Sequence, residues 1–221
     1  MRIKERAMEY IMGKKDLNSR DFLELLLTYA APKADSTALC ESLLAKFGSI
    51  SSVFEADFKD LQTIKGVSGN IAMLISLMPA LARNYMTDKW GEKPVLNSSA
   101  KAGDYATSLF TGRTYEAFYV ICLDSQNRVN FADLTHEGTI NEAPVYPRLV
   151  VESALRHQAN SVILCHNHPG GSLQPSTADI EVTKRIVTAL DAIGIKVADH
   201  IIVAGDKYTS FAEKGLIGET L

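Results

Sequence analysis

The stretch His166-Asn-His168-Pro-Gly-Gly-Ser-Leu-Gln-Pro-Ser176-Thr-Ala-Asp179 holds the densest set of chemically capable residues in this 221-residue chain. The two histidines stand two apart at the end of Val162-Ile-Leu-Cys165, an apolar run that predicts a buried strand. Residues i and i+2 of a strand face the same way, so both imidazoles can reach one point. Pro169-Gly-Gly-Ser172 then forces a turn, and Ser176 opens a predicted helix whose first turn brings Asp179 back toward the histidines. Two imidazoles and a carboxylate suit Zn2+, and three protein ligands leave a fourth tetrahedral corner for water, as in catalytic sites. A metal so held lowers the pKa of that water and polarises a substrate carbonyl. Ser176-x-x-Asp179 ahead of Ile180, Val182 and Ile186 also has the form of a helix capping box. One segment can both cap and ligate.

The spacing His-x-His, seven residues, Ser, two residues, Asp resembles the JAMM (MPN-plus) metallopeptidase signature. The Asn between the histidines, with Asp199-His-Ile-Ile-Val203, Ser210-Phe211 and Gly215-Leu216, resembles its bacterial RadC branch in particular. The resemblance covers nearly the whole chain, because RadC proteins also place a helical unit before this domain. It implies one zinc ion per chain with His166, His168 and Asp179 as ligands. It also implies that Ser176 stabilises the oxyanion of a tetrahedral intermediate and that an upstream Glu is general acid/base. The family places that Glu just before the first core strand, where Tyr115-Glu116-Ala-Phe-Tyr-Val-Ile-Cys-Leu123 carries Glu116. A carboxylate entering an apolar strand is either desolvated and functional or turned to solvent, and Glu137, Glu142 and Glu152 compete for the role. RadC relatives usually read Pro-Ser-Gly with a further Pro in the turn. This chain instead has Pro169-Gly170-Gly171-Ser172-Leu173, and the extra glycine loosens the loop.

Other candidates carry less chemistry. Cys165 adjoins His166 but should point to the opposite sheet face as a small buried hydrophobe. His200, in the Asp199-His200 pair, reads as a satisfied structural histidine or as a partner to a metal ligand. His136 and His157 read as surface residues. Leu61-Gln-Thr-Ile-Lys65-Gly66-Val-Ser-Gly69-Asn-Ile-Ala72 resembles a helix-hairpin-helix, in which two glycines permit a tight turn that presents backbone N–H groups to a DNA phosphate. Lys65 would add charge there. A plain αα-hairpin with closely packed glycines accounts for the same residues.

Those residues need two kinds of support. Before residue 90 apolar residues recur at helical spacing. Phe22, Leu25 and Leu26 fall on one face behind Asn18 and Ser19, and Leu39, Leu43, Leu44 and Phe47 follow Ser36 and end at Gly48. Short helices around Phe54–Leu61 and a longer one from Asn70 to Tyr85 complete an all-α domain over 1–88. The polar stretch 89–98 reads as a linker, and 99–221 as the zinc metallohydrolase domain. There Phe118–Leu123 and Arg128–Asp133 form a hairpin around Asp124-Ser-Gln-Asn127. Helices over Pro147–Gln158 and Ser176–Ile193 alternate with strands over Ser161–Cys165 and Ile195–Ala204. That order predicts an α/β fold, a mixed sheet flanked by helices.

Hydrophobic residues make up 46% and charged residues 22% of the chain, an ordinary globular balance with enough length for a core. No apolar run reaches the roughly 18–20 residues of a membrane span, and residues 1–10 lack the apolar segment of a signal peptide. Cys40, Cys122 and Cys165 form no CxxC pair and no even framework, which excludes a zinc ribbon and a disulfide scaffold and favours a cytoplasmic protein. Residues 1–93 carry 13 Lys and Arg against 12 Asp and Glu, and residues 94–221 carry 10 against 14. Neither half binds nucleic acid by bulk charge, so any DNA contact must be local. The expected function is zinc-dependent hydrolysis of an amide or isopeptide bond in a peptide or protein substrate. The alternative is a DNA-associated accessory protein, since the RadC resemblance carries a DNA-repair label. A nucleobase deaminase would need His-x-Glu and Pro-Cys-x-x-Cys, and neither is present. The consecutive His-Asn-His is not the nuclease motif of that name, whose residues are spread over a ββα unit.

Overall fold

Capping chemistry sets where the helices begin. Asn18 accepts from the Asp21 backbone N–H while Asp21 returns a bond to the Asn18 N–H, a reciprocal box at the start of α2 (Ser19–Ala30). Asp35 caps α3 (Ser36–Phe47), which Gly48 ends with a positive φ of 89°. A computed structural model of the protein describes residues 3–138 and 147–217 and divides the chain into two units, Met1–Leu81 and Ala82–Leu221.

The first unit is helical. To α2 and α3 it adds α1 (Ile3–Ile11), α4 (Ile50–Phe54), α5 (Phe58–Gln62) and the first part of α6 (Gly69–Asp88). Its core gathers Leu23, Leu27, Leu43, Val53, Leu61 and Ile75. The buried stripe of α2 is therefore Leu23 and Leu27, whereas Phe22 is exposed and Leu25 and Leu26 are half-buried. A one-residue rotation of the stripe separates the two assignments, because α2 offers apolar residues at five of its first nine positions. Helix α6 extends three residues past Tyr85, and the division between units falls within it. Residues 89–98 group with the second unit: Leu96 is fully buried and Val95 bridges Arg128.

The second unit is a five-stranded mixed sheet in the order β2-β1-β3-β4-β5, formed by β1 (Ala117–Leu123), β2 (Val129–Glu137), β3 (Ser161–Asn167), β4 (Lys196–Ala204) and β5 (Lys207–Ser210). Asp124 Oδ1 accepts from the Gln126 and Arg128 N–H groups, and Asn127 takes a φ of 58°, which closes the β1–β2 hairpin. Strands β3 and β4 are parallel and are joined through α9 (Thr177–Asp191). Alternation along β1 and β3 splits two cores. Tyr119, Ile121, Ile163 and Cys165 face the side covered by α7 (Ser99–Phe110). Phe118, Val120, Val162 and Leu164 face the side covered by α8 (Pro147–Arg156) and α9. Helices α1 and α7 and strand β5 were not marked by the hydrophobic pattern of the sequence. Strand β5 has four residues and α7 is rich in small residues, so neither offers a long periodic signal.

Gly103 on α7 lies against Tyr208 of β5, where a Cβ would meet ring carbons at 2.2 Å. Gly103→Ala should therefore lower stability by about 1–3 kcal/mol, seen as a reduced urea midpoint with an unchanged slope. An unaltered midpoint would mean that this helix and strand do not pack so closely.

Candidate metal centre

Strand β3 ends at Asn167, and His168 prolongs its ladder by donating its backbone N–H to the Val203 carbonyl at 2.8 Å. The two imidazoles thus project from one end of the sheet on the side covered by α8 and α9. Their Nε2 atoms are 3.0 Å apart. Asp179 arrives from the first turn of α9, with Oδ1 3.3 Å from His166 Nε2 and Oδ2 3.6 Å from His168 Nε2. The capping box predicted there is also formed: Ser176 Oγ accepts from the Asp179 N–H, and the Ser176 N–H donates to Asp179 Oδ2 at 2.7 Å. Capping and convergence on the histidines are properties of the same carboxylate.

The donor set tests whether a cation suits this place. His168 Nδ1 lies 2.8 Å from the Ser172 carbonyl, which can only accept, so Nδ1 carries the proton and Nε2 presents a lone pair. The positive φ of 84° at Gly171 turns the chain so that this carbonyl returns to the ring. That lone pair faces His166 Nε2 and the Asp179 carboxylate, all buried or half-buried. Two imidazole nitrogens and a carboxylate that share one centre are a donor set a divalent cation satisfies. Burial by itself pushes the Asp179 carboxyl up, yet its contact with His166, followed by the Ser176 donors, holds it well below the usual carboxylate range. The residues fit a divalent metal.

Glu116 stands one residue before β1. Its carboxylate, His166 and His168 each offer a ligand atom, and these lie within 4.8 Å of one another. It is half-buried. The competing acids are engaged elsewhere: Glu137 accepts from Arg113 at 2.6 Å and Glu152 from Arg148 at 2.8 Å, whereas Glu142 lies outside the described residues. Ser176 is exposed, and accepting from the Asp179 N–H leaves its hydroxyl hydrogen available. Cys165 is fully buried on the opposite face, among Tyr119, Ile121 and Ile163.

Three residues prove closer to this chemistry than their sequence context suggested. Asn167 is buried, and its carboxamide accepts from the Ala117 N–H at 2.8 Å and donates to the Tyr115 carbonyl at 3.0 Å. It therefore grips the backbone on both sides of Glu116. Its place between two ligand-type histidines was the only signal. His200 is fully buried with Nε2 2.8 Å from His166 Nδ1, and Thr183 Oγ1 lies 2.6 Å from His200 Nδ1. Burial, then the neighbouring imidazoles, keep His200 well below the ordinary histidine range, so it is neutral. Thr183 could have been found from its spacing, since residue i+4 on a helix shares a face with Asp179. His136 and His157 are half-buried instead of lying on the surface. The Nε2 of His136 is enclosed, and the ring of His157 stacks on Phe131 with centroids 4.1 Å apart. In the helical unit Lys65 and Gly66 are exposed, and Gly66 takes a φ of 96° in the turn between α5 and α6, while Gly69 begins α6.

Residues 96–216 match the RadC-like JAB domain family. A UPF0758 protein of Variovorax paradoxus (strain S110) is 38% identical over 207 residues, covering 93% of this chain and 92% of the relative. UPF0758 proteins of Aliivibrio fischeri (strain MJ11) and Pseudoalteromonas translucida (strain TAC 125) are 34% and 36% identical with the same coverage of both chains.

Asn167→Ala would strand the buried Ala117 N–H. It should cost about 1–3 kcal/mol in urea unfolding, more than a surface Asn→Ala change would. Equal stability of variant and wild type would show that the clamp carries no weight.

Proposed function

The chain belongs to the RadC-like JAB domain family, a JAMM-like hydrolase family, and from that premise we propose that it is a zinc-dependent hydrolase of amide or isopeptide bonds. The observation that supports this reading is the convergence of His166, His168 and Asp179 on one point, with Glu116 beside it. Zinc held by those three residues would supply Lewis acidity, which activates water and polarises a carbonyl. Asp179 is the better third ligand, because its oxygens are 3.3 and 3.6 Å from the two ring nitrogens. Glu116 is then left to take the proton of the attacking water and hand it to the departing amine, within reach of one water. Ser176 offers its hydroxyl hydrogen to the oxygen on which charge develops. Asn167 keeps Glu116 at its post by holding Tyr115 and Ala117. The substrate of this reading is a peptide or protein, and three buried unpaired cysteines suit a reducing cytoplasm. Among the described residues no helix is long and apolar enough to cross a membrane.

A second reading concerns the helical unit. The turn carrying Lys65 and Gly66 is exposed at the start of a 20-residue helix, a geometry that suits a DNA phosphate. A Cβ on Gly66 would sit 3.5 Å from Leu39, ordinary contact, so the positive φ is the stronger reason for glycine.

Purified protein should carry about one zinc per chain, and His166→Ala should lose it. Equal metal content in the two would defeat the assignment. Glu116→Gln should keep the metal and lose hydrolysis by at least about 100-fold when peptide libraries are profiled. For the helical unit, duplex-DNA anisotropy should show binding that weakens with salt and with Lys65→Ala. No affinity at low salt would leave the hairpin as scaffold.

A further inference from the structure

Neither His200 nor Thr183 belongs to the proposed ligand set, yet both are buried against it. Thr183 Oγ1 lies 2.5 Å from the Asp179 main-chain carbonyl, which can only accept, so the Thr183 hydroxyl hydrogen is committed there. Toward His200 Nδ1, 2.6 Å away, Thr183 Oγ1 can then only accept, and His200 carries its proton on Nδ1. The other nitrogen, Nε2, becomes an acceptor. It faces His166 Nδ1 at 2.8 Å, so His166 must donate from Nδ1. A His166 ring protonated on Nδ1 directs its Nε2 lone pair at His168 and Asp179.

The order of donors runs from one candidate ligand to another: His166 to His200, His200 to Thr183, Thr183 to the backbone of Asp179. Phe118 seals the arrangement. Its ring stacks on His166 at 11° between planes with centroids 6.1 Å apart, and meets His200 edge-on at 5.7 Å. The Phe211 ring also lies against His200, with centroids 4.5 Å apart. Water is thereby kept from substituting for either partner. The opposite tautomer of His166, protonated on Nε2, would reverse the sequence and leave His200 Nδ1 facing a hydroxyl already spent on a carbonyl.

We propose that His200 and Thr183 are positioning residues that fix the tautomer of His166, so that its Nε2 is always the nitrogen presented to a cation. The inference rests on the zinc reading for its purpose, but its hydrogen-bond order can be tested without it. Partners of this kind typically change metal affinity by about 10- to 100-fold.

The test has two arms. In the first, zinc affinity of the full chain is measured by competition with a chelator. Thr183→Val and His200→Leu should bind about 10- to 100-fold more weakly than wild type, whereas Thr183→Ser and His200→Gln, which keep an acceptor, should bind nearly as well. Zinc binding by Thr183→Val within twofold of wild type would overturn the proposal. The second arm needs no variant: nitrogen-15 NMR of the wild-type imidazoles, with and without zinc. It should find the proton of His200 on Nδ1, and a proton on its Nε2 would overturn the proposal even if every variant failed to fold. Wild-type protein that took up no zinc would sink the metal reading, while the His200 tautomer would still decide the relay.

Discussion

Lone pairs that face one another out of water demand a positive charge between them. At the end of β3 the chain brings two imidazoles and a carboxylate together, with the Ser172 carbonyl holding the His168 proton on Nδ1 and its Nε2 turned inward. The cost of gathering buried acceptors is several kcal/mol if nothing compensates it. A divalent cation would compensate it directly, and several bonds of the second unit keep these side chains in place.

The fold does so by using ordinary structural devices twice. A parallel β3–α9–β4 crossover places the beginning of α9 beside the end of β3, the position at which open sheets of this type commonly bind ligands. The capping box that starts α9 also orients the Asp179 carboxylate. The antiparallel pairing of β1 with β3 sets Phe118 opposite His166, and this register brings Glu116 to the rim. Asn167 then ties the ends of those two strands together on either side of that glutamate. The bonds that start α9 and join β1 to β3 thus also position the side chains of the candidate site.

Much of this was legible in the residues. A His-x-His at a strand end, a glycine turn and a Ser-x-x-Asp at a helix start specify a local geometry, because the strand and helix periodicities dictate where each side chain points. What could not be read were contacts between segments distant along the chain. His200 is 34 residues from His166, and nothing local shows that its ring meets Nδ1. The clamp on Glu116 spans 50 residues or more. The buried stripe of α2 was ambiguous for a different reason: a helix rich in leucine does not announce which face turns inward until α3, with Leu39 and Leu43, packs against it. Short elements such as β5 gave too few residues for a period to emerge.

If two imidazoles and a carboxylate at the end of β3 form a metal centre, X-ray absorption at the zinc edge of the loaded wild-type protein will register those ligands. Four light-atom neighbours at about 2.0–2.1 Å, with the outer-shell scattering of two imidazole rings, are expected. Sulfur scattering at about 2.3 Å, or a shell with no imidazole signature, would contradict it.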